Sequence, residues 1–317
     1  MRRKGIAGPA LAALAALLCA RPCAAEAGRT AASTLRRSLG SRAVALGEAY
    51  AAVEGGPSSM GYNPAALSGL QRPALETTYV QGIVDDHFGF MGYAHPASGA
   101  TWMLGAAYYD AGRIRISLSN GFTDTRNAQQ DMVALGGLSL PLGRGLSAGG
   151  LFKVFRLTLA DEARAGGYAG DAGLLWRTPL RGLNLGASAQ NLGPEVKFEK
   201  EGDPLPLTTR FGAAYLLDLE RAGLLQEASY VFTRFLLTAD GIKVREERLA
   251  AGLGLEMGMP LGAGAQAALR FGYVLNRDLD SFTFGIGLAE KRFSLDYALA
   301  VKRAINNAHH FTFGVRF

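Results

Sequence analysis

From about residue 74 to the end of the chain, large apolar residues alternate with small or polar residues at every second position. A period of two places successive side chains on opposite faces of a β-strand. One bulky apolar face and one small or polar face fit a lipid-facing barrel better than a sandwich, whose inward face must itself be bulky. The last segment shows the bulky face clearly, in Phe311, Phe313, Val315 and Phe317.

The alternation predicts an all-β fold, a transmembrane antiparallel up-and-down β-barrel of about fourteen strands over residues 74–317. Each predicted strand is close to or above the length of about 9–11 residues that crosses a membrane at a tilt. An even number allows both ends of the barrel chain to lie on the periplasmic side. The predicted strands cover residues 74–82, 86–95, 99–109, 130–140, 145–158, 166–177, 182–191, 207–219, 223–235, 243–258, 263–275, 281–289, 292–301 and 309–317.

The connections between these strands alternate in length, as periplasmic turns and outer loops do. The longest predicted outer loops are 110–129 and 192–206, and the connection near 83–85 is short and departs from the alternation. Segment 113–118 also alternates, which predicts either a further strand or a hairpin within the outer loop. Tight turns are predicted at 96–98, 141–144, 178–181, 220–222, 259–262 and 290–291, several of them marked by proline.

The beginning of the chain has the three parts of an export signal. Basic residues at positions 2–4 precede an apolar stretch from Ile6 to Ala20, and small residues follow it. This order predicts a signal peptide over residues 1–25, with cleavage after Ala25 or after Ala27.

Residues 28–73 do not alternate and are predicted to form a small N-terminal hatch, or plug. The stretch from Ser41 to Val53 predicts a short, mostly apolar helix, and the Asn63-Pro64 pair predicts a turn. A barrel of about fourteen strands is too wide for its own side chains to fill. The apolar segment is therefore expected inside the barrel, with an external periplasmic flap as the alternative.

Two motifs in this segment resemble a known family. Gly40–Tyr50 (Gly-Ser-Arg-Ala-Val-Ala-Leu-Gly-Glu-Ala-Tyr) and Tyr62–Leu67 (Tyr-Asn-Pro-Ala-Ala-Leu) resemble the N-terminal signature of the PorV/PorQ family, within the FadL-like fourteen-stranded outer-membrane barrels. Leu185–Gly193 resembles a mid-barrel strand of that family, and Leu295–Ala298 resembles its end. The chain departs from the family at Glu48, where a second glycine is common.

The resemblance implies two alternative functions. The first is passive transport of hydrophobic or amphipathic small molecules across the bacterial outer membrane, with the hatch as its gate. The second is a PorV/PorQ-like role in handling secreted protein cargo in type IX secretion, which the gene content of the source organism would test. The hatch and gate residues expected from the resemblance are Arg42, Gly47, Asn63, Pro64 and Ala65.

Four charged residues lie in mid-strand among apolar neighbours. An arginine facing lipid at the bilayer midplane costs about 2–4 kcal/mol, so these side chains are expected to face the lumen. There they either pair with one another and with the hatch, or line a substrate path. These candidates are Arg210, Glu256, Arg270 and Asp296.

The aromatic residues Phe313 and Phe317 end the last predicted strand. A C-terminal aromatic residue resembles the signal that outer-membrane assembly machinery reads, so the barrel-assembly machinery is an expected partner, together with outer-membrane lipid and the cargo.

Composition adds little chemistry to this interpretation. The net charge is +6, but four positive charges lie within the predicted signal peptide, which leaves +2 and no indication of a nucleic-acid partner. Both cysteines lie in the same segment, and the four histidines lack metal-ligand spacing. Gly145–Gly149 matches the hydrolase pattern Gly-x-Ser-x-Gly but opens a predicted strand instead of a strand–turn–helix. Neither enzymatic activity nor a cofactor or metal is expected.

Overall fold

A computed structural model describes residues 30–82, 86–117, 122–198, 201–219, 231–262, 264–276, 280–302 and 307–317. The predicted signal peptide and the predicted connection at 83–85 lie outside these residues. Within the described ranges, no helix is long and apolar enough to cross a membrane.

Fourteen antiparallel strands form one closed barrel, as the alternation predicts. Each strand pairs with its neighbours in chain order, and the first strand closes the ring against the last. The barrel strands are β1 (Ala74–Gln81), β2 (His87–Ala97), β3 (Ala100–Asp110), β6 (Gln129–Gly143), β7 (Leu146–Leu159), β8 (Ala163–Arg177), β9 (Leu183–Leu192), β12 (Thr208–Asp218), β13 (Arg234–Val244), β14 (Ala250–Gly262), β15 (Ala265–Leu275), β16 (Asp280–Glu290), β17 (Phe293–Lys302) and β18 (Ala308–Arg316).

Two small hairpins stand outside the barrel ladder, both in connections at the same end. One is β4 (Arg113–Ser117) with β5 (Thr123–Asn127), and the other is β10 (Val196–Lys197) with β11 (Gly202–Asp203). Residues 113–117 of the predicted segment 113–118 therefore belong to a hairpin in the loop, one of the two predicted alternatives, and residue 118 lies outside the described residues. Because longer loops mark the outer end of such barrels and short turns the periplasmic end, we call the hairpin end of this barrel its outer end.

Two predicted strand boundaries are wrong. The strand predicted at 223–235 does not end at 235, because β13 spans Arg234–Val244 and includes residues predicted as a connection. The tight turn predicted at 220–222 and residues 223–230 of the predicted strand lie outside the described residues. The strand predicted at 243–258 begins only at Ala250. The four charged residues after Val244 form a turn, in which Glu246 adopts a left-handed φ of 61°.

The N-terminal segment packs inside the barrel as short helical turns. Helix α1 (Ser41–Ala45) contacts β15, β16, β17 and β18, and the 3-10 helix Pro64–Gly69 contacts β6, β7 and β8. Two further 3-10 helices span Ser33–Arg36 and Pro57–Gly61. The helix predicted over 41–53 thus ends at Ala45. It cannot continue because Gly47 and Glu48 both have left-handed φ values, 62° and 58°.

The seam between the first and last strands closes the ladder. Residues Ala74–Gln81 pair antiparallel with residues His309–Arg316, and the Phe317 amide donates to the Pro73 carbonyl over 3.0 Å. An open barrel would leave two strand edges unpaired in hydrocarbon, which is costly. The C-terminal residues therefore complete the barrel as well as ending it.

Deletion of Phe317 is expected to remove most of the folded protein, because the closing strand loses its last ladder bond and its exposed terminal aromatic ring. The measurement is the fraction that migrates as a compact band in an unboiled detergent gel. Phe317→Tyr keeps the bond and the ring and serves as the control. An unchanged compact fraction after the deletion would contradict the prediction.

Candidate functional site

The turn Tyr62–Ala65 of the hatch rests on one row of inward-facing wall positions. Paired in register across four strands, the row consists of Ser139, Gly149, Gly173 and Ser188. The two serines donate to hatch carbonyls, Ser139 Oγ to Ala65 over 3.1 Å and Ser188 Oγ to Tyr62 over 2.7 Å. A Cβ at either glycine would collide with the hatch, in part with its backbone at Pro64 and Ala65. The wall is therefore shaped to hold this turn.

A second row, again with two glycines between two hydroxyl residues, holds the hatch on another part of the wall. It consists of Thr238, Gly254, Gly272 and Thr283. Leu46 and Gly47 lie against its two glycines. Gly47 has no room for a side chain, because a Cβ there would lie 2.7 Å from the Leu253 carbonyl oxygen and 2.8 Å from that of Tyr273. Both rows bring hatch backbone directly onto wall backbone.

Asn63 connects three parts of the molecule through one buried side chain. Its Oδ1 accepts from the Ala65 amide over 3.0 Å and holds the predicted turn, before Pro64 begins the 3-10 helix. Its Nδ2 donates to the Ala51 carbonyl over 2.7 Å and to the Leu174 carbonyl of β8 over 2.9 Å. Asn63 thus fixes the turn to the rest of the hatch and to the wall.

A chain of alternating charges joins the hatch to three strands. Arg42 donates two hydrogen bonds to the Glu256 carboxylate, of 2.7 and 2.8 Å. Arg270 donates to the same carboxylate and to Asp296, each over 2.6 Å. The chain is electrically balanced, with two cations and two anions.

Arg42 is held charged in this chain. Burial alone would lower the pKa of Arg42, but the Glu256 carboxylate raises it well above its usual value. A cation that stays charged inside the barrel needs its partner carboxylate. The hatch is thereby tied electrostatically to β14.

Arg210 lies in a separate cluster on β12. It donates to the Gln190 side chain over 3.2 Å and to the Glu48 carbonyl over 3.1 Å, and it lies 3.5 Å from the Glu48 carboxylate. Its guanidinium carbon also lies 5.1 Å from the centre of the Tyr62 ring. Glu48, which departs from the family motif, is thus an anionic hatch residue beside a buried arginine.

A chamber of about 540 Å³ lies between the hatch and the periplasmic end of the barrel. The hatch forms its roof with Arg42, Tyr50 and the stretch 52–56. The strands line it with both signs of charge, including Glu76, Arg234, Glu256, Arg270, Asp296 and Arg316. The chamber is polar where it meets the periplasmic end.

The outer part of the lumen contains a large apolar cluster, beside buried polar groups such as the Lys153–Asp171 ion pair. One buried cluster joins inward-facing side chains of the β1–β8 wall to the hatch and to the outer loop 193–207. The wall contributes Val80, Phe88, Phe90, Val133, Phe155 and Leu157, the hatch contributes Leu39, Met60 and Leu67, and the loop contributes Val196 and Leu205. An apolar zone therefore extends from the outer loop to the hatch.

No protein-family model and no curated protein matches the chain. Its fold does match solved structures. A structure titled "CymD monoaromatic hydrocarbon channel" has a TM-score of 0.58 at 11% identity, covering 88% of this chain and 98% of that one. The toluene transporter TodX of P. putida has a TM-score of 0.57 at 11% identity, with coverage of 88% and 98%. A FadL homologue of Pseudomonas aeruginosa has a TM-score of 0.51 at 10% identity, with coverage of 89% and 98%.

This chain has the fold of these FadL-like channels.

Two contacts between the barrel wall and the hatch were not predicted from the sequence. The Asp240 carboxylate accepts from the amides of Tyr50 and Ala51, each over 2.8 Å. The Glu76 carboxylate accepts from the Ser58 amide over 2.7 Å. Both are charged residues on the small face of a strand, which is the signal that selected Arg210. Asp240 was missed because residues 236–242 of its strand were predicted as a connection.

Proposed function

We propose that this protein carries hydrophobic or amphipathic small molecules passively across the bacterial outer membrane, with the hatch as its gate. The observation that carries the proposal is the apolar zone that runs from the outer loop to the hatch. A water-filled pore would have a polar interior instead. A hydrophobic molecule gains by leaving water for such a zone, since burial of apolar surface contributes about 25 cal/mol per Å².

Passage beyond the hatch requires the hatch to shift. Apolar residues pack against its outer side, and the polar chamber of about 540 Å³ lies on its periplasmic side. A displacement of the turn Tyr62–Ala65 or of Leu46–Gly47 would join the two spaces. A polar chamber gives a hydrophobic molecule little to bind, which favours its release.

The solved structures with this fold support the same class of cargo. Two of them are titled as a monoaromatic hydrocarbon channel and a toluene transporter. In keeping with such a role, the chain would be exported by the predicted signal peptide, cleaved after Ala25 or Ala27, and assembled in the outer membrane.

Phe155 offers a direct test of the apolar path, because it faces the lumen cluster while Phe152 on the same strand faces outward. Phe155→Asn should slow the uptake of a hydrophobic dye into vesicles several-fold, since an amide in an apolar site costs about 1–3 kcal/mol. Phe152→Asn is the matched control and should leave the uptake rate close to that of the wild type. Equal rates for wild type, Phe155→Asn and empty vesicles would defeat the transport proposal.

Handling of secreted proteins is the second candidate function, and the family resemblance of Gly40–Tyr50 and Tyr62–Leu67 is what supports it. The two outer hairpins, β4–β5 and β10–β11, are the surfaces that a secreted protein would meet first. Co-purification of secreted cargo with the wild-type barrel, lost on removal of the β4–β5 hairpin, would favour this function. The absence of type IX secretion genes from the source organism would exclude this second function.

A further inference from the structure

An open groove of about 760 Å³ lies on the outward face of the barrel, across β1, β2, β3, β6 and β7. The groove forms because three outward positions carry small side chains or none, at Gly89, Ala106 and Ala134. Larger apolar side chains rise beside it, including Tyr79, Tyr108 and Met132, each at least 38% exposed. The volume is in the range that holds a drug-sized ligand.

The strand register places this groove just inside the outer edge of the apolar wall. One outward row, paired across the strands, is entirely polar and consists of Gln81, His87, Asp110, Gln130, Thr158 and Arg164. The next row toward the periplasm contains Tyr79, Gly89, Tyr108, Met132 and Arg156. Polar residues followed by tyrosines are the pattern of a membrane–water boundary.

Arg156 is the unexpected member of the second row. It faces outward at the end of the groove, and no described residue gives it a hydrogen bond or an ion pair. Arg164 is exposed one row further out on the neighbouring strand and likewise lacks a described partner. Asp110 is the carboxylate of the outer row. It already accepts hydrogen bonds of 2.8–3.0 Å from Tyr108, Gln130 and the Gly112 amide. Two free cations therefore lie where the apolar groove meets the polar boundary.

We propose that this groove binds a phosphorylated glycolipid of the outer leaflet. One acyl chain occupies the apolar groove, and a phosphate group lies between Arg156 and Arg164. The inference rests on the proposed membrane location but not on the transported cargo. The outer end of the barrel is the hairpin end, so the leaflet that faces the groove is the outer one.

The charge pattern is what selects this occupant. Arginine binds phosphate through paired N–H donors, and its long apolar stem lets the charge reach the headgroup level from within the apolar wall. A second copy of the chain would have to place a complementary anion against two arginines that lie within an otherwise lipid-facing surface. A hydrophobic cargo molecule would use the groove but leave both cations unpaired.

The test compares lipid bound to the full-length protein extracted from outer membranes in mild detergent. The phosphorylated glycolipid retained per mole of barrel is measured by mass spectrometry. The double variant Arg156→Gln/Arg164→Gln should retain roughly 30-fold less, at roughly fivefold per cation near an anionic lipid surface. Ala106→Phe, which fills the groove and keeps both cations, should also lower retention.

Matched controls lie on another part of the wall. Lys243 is an exposed, outward-facing cation near the outer end of β13, and Ala239 is an outward-facing alanine on the same strand. Lys243→Gln and Ala239→Phe should retain the wild-type amount of lipid. Every variant is first shown to be folded by its compact band in an unboiled gel.

Refolded protein gives the second arm, in which native mass spectrometry follows added phosphorylated glycolipid, its dephosphorylated form and phosphatidylglycerol. Preference for the first over the other two supports the proposal. Equal retention by the wild type and the double variant overturns it, as does equal loss in the controls. A change in oligomeric state on Ala106→Phe without loss of lipid assigns the groove to a second copy and also overturns it. Lipid retention is read independently of dye uptake, so failure of transport leaves this result interpretable.

Discussion

Replacing Glu256 by leucine is expected to release the hatch from β14. The change leaves Arg42 and Arg270 facing each other inside the barrel. Of the two carboxylates that balanced them, only Asp296 remains. Removing one partner of a buried pair costs about 3–5 kcal/mol. Because the Arg42 side chain is 27% exposed, we expect the lower end, about 3 kcal/mol, or a shift of roughly 100-fold in the seating of the hatch.

The shift is measured by the labelling rate of a cysteine introduced into the hatch. Ser59→Cys suits this purpose, because Ser59 is fully buried in the hatch and the chain has no cysteine after position 23. The double variant Arg42→Leu/Glu256→Leu removes both charges and keeps the Arg270–Asp296 pair, so it should return most of the protection. Equal labelling of the wild type and Glu256→Leu would show that the charge chain does not hold the hatch.

Gly149→Val is expected to push the turn Tyr62–Ala65 away from the wall. A side chain at Gly149 would overlap the backbone of Pro64 and Ala65. Overpacking of this kind costs about 1–3 kcal/mol, which corresponds to a shift of roughly 5- to 150-fold in a two-state equilibrium. Uptake of dye into vesicles should therefore rise, while the closed ladder and the compact band in an unboiled gel are retained.

The adjacent residue supplies the control for this experiment. Gly150 faces outward, and a Cβ there meets nothing nearer than the Asp171 carbonyl oxygen at 3.9 Å. Gly150→Val should behave as the wild type in both uptake and gel migration. If both variants raise uptake equally, the effect belongs to the strand and not to the seat of the hatch.

The barrel was predictable from the sequence because nearly every barrel strand alternates bulky apolar residues with small or polar ones. The exception, β13, shows the limit of that signal. Its inward face carries Thr238 and Asp240, of which Asp240 binds two hatch amides, so the strand looks polar in sequence. Residues 236–242 were therefore predicted as a connection, and the next strand was predicted to begin at 243, which included the charged turn after Val244.

The contacts between the hatch and the barrel wall were less predictable from the sequence. Asn63 and Arg42 carry sequence signals, a turn motif and an isolated charge, and the structure places both at the contact between hatch and wall. The two glycine rows have no such signal. Gly149, Gly173, Gly254 and Gly272 are far apart in sequence, and only the register of the strands brings each pair side by side. The chain contains 42 glycines, and the sequence does not show which of them bring wall and hatch backbones together.

The contacts of the hatch also determine the order in which the chain can fold. Ser41 bonds to Thr312, which lies 271 residues further along the chain, and Thr312 bonds across the closing seam to Thr78. Helix α1 packs against β15, β16, β17 and β18, all of which leave the ribosome late. Contacts of such long range form slowly, because the intervening chain must first be closed into a loop. The apolar N-terminal segment therefore stays without its partners until the last strand has arrived, and a chaperone that covers it during that interval would raise the yield of closed barrels.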